Sequence, residues 1–160
     1  MDENRRVSML LDYIFGKEVS KTISGLKVDL KFSKKTGRLK NIMIYDKLFA
    51  TMRVDGGLAL TLEGGQILNS SPEFRQNTVK ITEDASKYVA LGKSVFAKHV
   101  VECGSRIKPG SEVVVLDSNN HVLAVGKAIL SSKMMIDFSS GVAVKIRDSI
   151  KPGVHLKEKA

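Results

Sequence analysis

Few residues in this 160-residue sequence have the types and spacing that metal binding requires. The three histidines, His99, His121 and His155, are scattered, and none stands at metal-ligand spacing from Cys103 or from another histidine. We therefore expect no structural zinc site and no cofactor. His121 falls in a predicted turn and His155 near the C-terminus, and both are expected to be solvated.

The motifs of phosphate binding and nucleophilic catalysis are also missing from the sequence. The pairs Gly56-Gly57 and Gly64-Gly65 precede no Lys-Ser/Thr of a P-loop and form no dinucleotide fingerprint, so both predict turns. No Gly-x-Ser-x-Gly elbow occurs. The carboxylates of Glu83-Asp84 suit the first turn of a helix better than acid–base catalysis. We expect a protein that is not an enzyme.

Charge gives the first positive indication of function. The chain has 26 basic and 17 acidic residues, a net charge of +9 and a pI near 9.7. Such an excess is typical of proteins that bind a polyanion. A protein that is merely soluble and basic is the alternative. The excess is spread over both halves of the chain, so no basic tail accounts for it.

A first group of basic residues surrounds a predicted turn at Thr36-Gly37 and comprises Lys34, Lys35, Arg38 and Lys40. A hairpin tip at this place would project four charges toward a phosphate backbone. A solvated loop is the alternative reading.

A second group follows the helix-breaking Gly92 and offers backbone amides, a hydroxyl and two cations from Lys93, Ser94 and Lys98. Phe96 in the same segment has a ring that could stack on a base, but we expect it in the core.

Further along the chain, Lys145 and Arg147 share the outer face of a predicted last strand, Gly141–Arg147, and Lys127 lies on a neighbouring strand. These three residues would form a basic groove.

Apolar patterning predicts the elements that carry these residues. In the first half, a helix capped by Ser8 and ending near Gly16 precedes an antiparallel sheet, which is an α+β arrangement. In the second half, a helix starting at Thr82 and about five short strands predict a small barrel. One of these strands, the continuously apolar run Val113–Leu116, is expected to be buried on both faces. The polar segment Asn69–Glu73 is the expected linker. We expect domains at residues 1–71 and 76–152.

Cellular location is indicated by what the chain lacks. It has no signal-peptide pattern, no run of about 18 apolar residues, and a single cysteine, Cys103, that excludes an internal disulfide. We expect a cytoplasmic protein.

Residues from about Val79 to Ile150 resemble a PUA domain, the RNA-binding module named for pseudouridine synthases and archaeosine transglycosylases. The resemblance implies a mixed β pseudo-barrel. It rests on the order and spacing of four segments: Gly92–Lys98, Ile107–Val113, Leu123–Ala128 and Gly141–Arg147.

The first half is similar to the domain that precedes the PUA module in archaeal archaeosine tRNA-guanine transglycosylases. The segments that carry this likeness are Asp12–Gly16, Ser33–Arg38 and Leu48–Arg53. In that family the PUA module grips the tRNA acceptor end, and a separate zinc-bearing barrel exchanges the base. No counterpart of that barrel is present, so the resemblance implies a noncatalytic tRNA-binding chain, acting alone or with a separate transglycosylase catalytic chain.

The resemblance also implies which residues contact RNA. They are the glycine-following segment, the strand edge beside it and the last strand: Gly92, Lys93, Ser94, Lys98, Lys127, Lys145 and Arg147. Two alternatives stay open. One is a translation-associated PUA factor that binds the small ribosomal subunit, and the other is an enzyme with an unusual site.

Overall fold

The computed structural model describes residues 2–151 of the chain. Pro152, the last residue of the predicted second domain, lies outside them. The chain forms two compact units, and the division falls between Phe74 and Arg75. This point is one residue beyond the segment Asn69–Glu73 that the sequence indicates as a linker.

Residues 2–74 form a four-stranded antiparallel sheet with two α-helices, which confirms the predicted α+β class. The strands follow one another across the sheet in chain order. A short 3-10 helix, Val19–Ile23, connects the first α-helix to the sheet. The helices and strands are α1 (Glu3–Phe15), β1 (Val28–Phe32), β2 (Leu39–Ile44), β3 (Lys47–Met52), β4 (Leu58–Leu60) and α2 (Leu62–Asn69).

Helix α1 begins earlier than predicted, because Asp2 rather than Ser8 caps it. The Asp2 carboxylate accepts a hydrogen bond from the backbone N–H of Arg5 at 2.9 Å, and so pairs a group that the helix itself leaves without a partner. The helix ends before Gly16, as predicted. Its buried face comes from apolar residues spaced four apart: Val7, Leu11 and Phe15.

The predicted hairpin around Thr36-Gly37 is confirmed, since β1 and β2 pair antiparallel. Gly37 has a φ of +71°, in the left-handed region that favours glycine. The N–H of Ser33 donates to the carbonyl of Arg38 at 2.8 Å and closes the turn. The turn therefore carries the first basic group at an exposed tip.

The predicted turn at Gly64-Gly65 is wrong, because both glycines are buried inside α2. Thr61 caps this helix by accepting a hydrogen bond from the N–H of Gly64 at 3.0 Å. A Cβ on Gly64 would lie 2.3 Å from the carbonyl oxygen of Phe49. The glycine is therefore what allows α2 to pack directly on the backbone of β3.

Residues 75–151 form a mixed six-stranded sheet that curls into a nearly closed barrel, which confirms the predicted pseudo-barrel. The elements are β5 (Thr78–Ile81), α3 (Glu83–Ala90), β6 (Val95–Phe96), β7 (Val100–Cys103), β8 (Glu112–Leu116), β9 (Val122–Ala128), α4 (Ser132–Asp137) and β10 (Val142–Ser149). The strand order is β6-β10-β9-β8-β5-β7. Only the pair β5/β8 is parallel among these described strands.

The barrel core is built from the inward side chains of these strands and from α3 and α4. Strand β8 contains the continuously apolar run Val113–Leu116, which is buried as expected, and all five residues of the strand are buried. The first of them is Glu112, a charged residue whose partner is described below. Fully buried core side chains include Val79, Ile81, Val113, Val115, Ala124 and Val144.

Candidate nucleic-acid interface

Strands β6, β10 and β9 lie side by side at one edge of the six-stranded sheet. Lys127 on β9 lies directly opposite Lys145 on β10, so their side chains share a face, with Cβ atoms roughly 4.5–5.5 Å apart. Both are exposed, and neither forms an ion pair within residues 2–151. Two opposed like charges repel each other. A phosphate bound between them would relieve that repulsion.

Gly126 brings these two strands close together. It lies opposite Ile146, and a Cβ on it would stand 2.2 Å from the carbonyl oxygen of Lys145. The register then shifts between Ile146 and Asp148, which places Arg147 in a bulge. The glycine and the bulge together set the position of the two opposed lysines on the curved sheet.

The segment that begins at Gly92 runs antiparallel along β10. Gly92 follows α3 and has a φ of +98°. It lies near the end of β10, because a Cβ built on it would be 3.8 Å from the Ser149 hydroxyl. At the other end of the strand, Phe96 pairs with Val142. The segment therefore spans the length of β10 on the side opposite β9.

The predicted contact residues of the second half therefore lie on, or next to, the three adjacent strands β6, β10 and β9. Lys98 follows Ala97, whose N–H bonds to the carbonyl of Gly141 at 2.9 Å, just before β10 starts. Lys93, Lys98, Lys127 and Lys145 are all exposed. We call this set the β6-β10-β9 edge: Gly92, Lys93, Ser94, Lys98, Lys127, Lys145 and Arg147.

Arg147 has a partner that the sequence did not reveal. Its Nη1 donates to Oε1 of Glu112 at 3.0 Å, and its Nη2 donates to Oε2 of the same carboxylate. The Glu112 side chain is 1% exposed and the Arg147 side chain 39%. Arg147 therefore neutralises a buried carboxylate and contributes less free positive charge to the edge than the lysines do.

A cavity of about 310 Å³ lies between α3 and β6, next to the start of this edge. Its walls are mainly apolar, and its ring-bearing lining residues are Tyr88, Phe96 and His99, with Lys93 beside them. Phe96 is 45% exposed and Tyr88 54% exposed. The expectation that Phe96 belongs to the core is therefore wrong, because a two-residue edge strand points one of its side chains outward.

The basic residues around the Thr36-Gly37 turn of the first unit line two different surfaces. Lys34 and Lys35 line a surface depression together with Lys31 and Lys40. Arg38 lines a different groove, beside α1. The tip therefore presents cations in two directions.

One histidine and the cysteine have side-chain partners close by. His121 lies 3.4 Å from the Asp117 carboxylate, and the Cys103 thiol donates to the carbonyl of Ser132 at 3.3 Å. His155 lies outside residues 2–151. No group of three or more His, Cys, Asp or Glu residues within that range is placed to hold a metal ion, and no helix in it is long and apolar enough to cross a membrane.

Comparison with protein families assigns a known domain to each unit. Residues 5–74 match the patch-forming domain C2 of tRNA-guanine transglycosylase. Residues 77–150 match the PUA domain. Both matches agree with the resemblances read from the sequence.

Curated relatives match nearly the whole chain. A tRNA-guanine(15) transglycosylase of Methanothermobacter thermautotrophicus is 34% identical over 148 residues, which are 92% of this chain and 23% of the relative. One from Pyrococcus abyssi is 36% identical over 150 residues, 93% of this chain and 25% of the relative. The chain thus spans about a quarter of the length of these relatives.

Solved structures share the fold. A hypothetical protein from Pyrococcus horikoshii superposes with a TM-score of 0.72 at 24% identity, covering 98% of this chain and 95% of its own. A conserved PUA domain protein from Thermoplasma acidophilum gives a TM-score of 0.65 at 20% identity, covering 99% and 96%.

The chain therefore carries a patch-forming domain C2 followed by a PUA domain, and it is homologous to the C-terminal region of archaeal tRNA-guanine transglycosylases.

Proposed function

We propose that this protein binds tRNA in tRNA modification and performs no chemistry of its own. The observation that carries the proposal is the alignment of the predicted contact residues along the β6-β10-β9 edge of the PUA domain, with Lys127 and Lys145 directly opposed. Exposed cations gathered on one face suit contacts with the phosphates of a nucleic-acid backbone. The names of the relatives, tRNA-guanine(15) transglycosylases, support tRNA as the RNA.

The noncatalytic role is supported by the kind of domains that the chain matches, because a PUA domain binds RNA. The chain is similar to about a quarter of the length of the relatives, the part made of the patch-forming and PUA domains. In this proposal the chain acts in the cytoplasm and delivers or holds tRNA, either alone or for a separate catalytic chain. Mass spectrometry of tRNA incubated with the pure protein tests this role, and a newly modified base would overturn it.

The part of the tRNA that we propose to be bound is the acceptor end. The cavity beside the edge exposes the rings of Tyr88 and Phe96 with Lys93 next to them. Aromatic faces bind unpaired bases by stacking, without a need for a particular sequence. The unpaired 3′ end of tRNA supplies such bases next to a duplex whose phosphates would meet the lysines.

Gel-shift titration of the full chain tests the proposal with three probes: tRNA, the same tRNA without its 3′ end, and duplex DNA. We expect the affinity to fall in that order. If about four phosphates are neutralised, log affinity should fall against log salt with a slope of about −3 to −4. Equal affinity for the three probes would contradict the proposal. Cosedimentation with the small ribosomal subunit, in place of tRNA binding, would favour the translation-factor alternative.

A charge-matched pair of variants makes the test specific to the edge. Lys127→Ala/Lys145→Ala removes two positive charges from it. Lys47→Glu changes the net charge by the same amount at the exposed start of β3 in the first unit, outside the PUA domain. We expect the double variant to lose at least tenfold in tRNA affinity and the control to lose much less.

A further inference from the structure

A groove in the first unit has no role in the proposed contact between the PUA domain and tRNA. It has a volume of about 590 Å³ and lies between α1, the β1–β2 turn and the β3–β4 turn. This volume is within the range of roughly 300–1,000 Å³ that is typical of ligand pockets. Its lining combines large apolar side chains with arginines: Met9, Tyr13, Val54, Arg6, Arg38 and Arg53.

The apolar part of this α1 groove is exposed to an unusual degree. Tyr13 is 84% exposed and Met9 54% exposed, on the side of α1 away from its buried residues. Val54, in the β3–β4 turn, is fully exposed. Single exposed apolar residues are ordinary, but several that line one concave surface are typical of a binding site.

The charged part of the α1 groove has one sign. No acidic side chain is among the described residues that line it. Arg53 is held by the Asp55 carboxylate at 3.2 Å. Arg6 and Arg38, in contrast, form no ion pair within residues 2–151. Two guanidinium groups are therefore available to an anionic ligand.

A local contact holds the side chain of one of the two available arginines, and a tight turn fixes the backbone of the other. The Arg6 guanidinium lies over the ring of Phe32, 5.5 Å from its centroid, which is a cation–π contact. Arg38 follows the tight turn whose glycine, Gly37, has a left-handed conformation. Guanidinium groups bind phosphate through two parallel hydrogen bonds, a geometry that lysine does not reproduce.

We propose that the α1 groove binds an unpaired nucleotide of the RNA, with its base against Tyr13 and Met9 and its phosphate on Arg6 and Arg38. This proposal rests on the proposed RNA-binding function and adds a second RNA site on the patch-forming domain. An aromatic face beside a pair of guanidinium groups matches a base joined to a phosphate. Paired nucleotides do not fit the groove, because their bases are already stacked inside a duplex.

The test compares two exposed tyrosines of the same unit in the full-length chain. Tyr13→Ala removes the ring from the α1 groove, and Tyr13→Phe keeps it. Tyr45→Ala is the matched control, because Tyr45 is 57% exposed and lies outside this groove. We expect Tyr13→Ala to weaken tRNA binding about tenfold, and Tyr13→Phe and Tyr45→Ala to leave it within twofold. For a fully paired RNA duplex, we expect all three variants to bind like the original chain.

A second measurement locates the bound nucleotide directly. tRNA labelled with 4-thiouridine is photo-crosslinked to the chain, and the linked peptides are identified by mass spectrometry. We expect crosslinks to the peptide that carries Met9 and Tyr13, and their loss in Arg38→Ala. Unchanged tRNA affinity in Tyr13→Ala together with no crosslink to this peptide would overturn the inference.

The outcome for the PUA edge separates this inference from the proposed function. If Lys127→Ala/Lys145→Ala weakens tRNA binding and Tyr13→Ala does not, the second site is refuted and the proposed function stands. If the original chain does not bind tRNA, both are refuted. If an acidic peptide competes for the α1 groove and tRNA does not, the groove is a protein-binding site and the inference is overturned.

Discussion

Arg147 and Glu112 form a bidentate ion pair that passes over β9 and joins two strands that are not neighbours. Arg147 is in the bulge of β10, Glu112 begins β8, and β9 runs between these two strands. Lys127 of β9 lies opposite both Glu112 and Lys145. The three residues therefore form one row of cross-strand neighbours on the same face of the sheet, and Arg147 neutralises the carboxylate at the end of that row.

Loss of this arginine should destabilise the PUA domain. Arg147→Ala leaves the Glu112 carboxylate buried without its ion-pair partner, which costs about 3–5 kcal/mol for fully buried pairs. The Arg147 side chain is partly exposed, so we expect a smaller loss, about 2 kcal/mol. Urea unfolding measures it.

The control for this variant is Lys145→Ala, which removes a charge from the same strand and should change the free energy of unfolding by less than about 0.5 kcal/mol. An equal loss in the two variants would mean that the Arg147–Glu112 pair has no special structural role. Replacing both partners by apolar residues of similar size, Glu112→Met/Arg147→Leu, should recover much of the lost stability.

Gly126 should resist substitution more than glycines with open surroundings. In Gly126→Ala the new methyl group would meet the Lys145 carbonyl, so β9 and β10 must separate, and we expect a loss of roughly 2–4 kcal/mol. Thermal unfolding measures the loss. Gly25→Ala is the comparison, since Gly25 has a φ of +81° and no atom within 4 Å of the new Cβ. It should cost only about 1 kcal/mol.

Gly126→Ala should also weaken tRNA binding under conditions in which the chain stays folded, because the separation of the strands displaces Lys127 from Lys145. Unchanged affinity would show that the spacing of these two lysines is unimportant for binding.

The exposed ring of Phe96 should matter for the 3′ end of tRNA. We expect Phe96→Ala to lower the affinity for intact tRNA by about five- to tenfold and to leave the affinity for tRNA without its 3′ end unchanged. Fluorescence anisotropy with the two labelled RNAs gives both constants. Tyr88→Phe keeps both rings and serves as the control. An equal effect on the two RNAs would place the 3′ end elsewhere.

The hairpin tip of the first unit should contribute to the salt dependence. If Lys34 and Lys35 each contact a phosphate, Lys34→Ala/Lys35→Ala should reduce the magnitude of the salt slope by about two. The pair Lys17→Ala/Lys27→Ala removes the same charge from the same unit and should reduce it less. Identical slopes for the two pairs would mean that these tip lysines are solvated and make no contact.

A hydrogen bond from Ser71 is the main cause of a lowered pKa at Glu73. The Ser71 hydroxyl donates to the Glu73 carboxylate at 2.6 Å and lowers its pKa below the ordinary value. Because the pKa is lowered in the folded chain, this contribution to stability is present above the ordinary pKa of glutamate and is lost as the pH falls through the lower one. Ser71→Ala should raise the pKa of Glu73, which an NMR titration measures, and no rise would contradict the assignment.

Local sequence patterns were sufficient for the elements that depend on near neighbours. Thr36-Gly37 predicted the β1–β2 turn, and the apolar run from Val113 predicted a buried strand, because turn geometry and burial on both faces act on adjacent residues. The start of α1 was missed because the residues that follow Asp2 are polar and hide the helical period. Gly64-Gly65 was misread because its reason, the backbone of β3, is distant in the sequence.

Some features of the candidate site could likewise be predicted from the sequence, and others could not. The basic residues of the β6-β10-β9 edge could be named from the order of their motifs, because each lies in a short recognisable segment. The partner of Arg147 could not, because 35 residues separate it from Glu112. The exposure of Phe96 and Tyr88, and the α1 groove, depend on how separate elements pack, which periodicity alone does not specify.

Lysine footprinting with and without tRNA tests directly whether the β6-β10-β9 edge is the surface that contacts tRNA. The full chain is acetylated at low reagent concentration, and the modification of each lysine is measured by mass spectrometry. We expect tRNA to protect Lys93, Lys98, Lys127 and Lys145 and to leave Lys47 reactive. Equal reactivity of the four with and without tRNA, under conditions where tRNA is bound, would contradict this expectation.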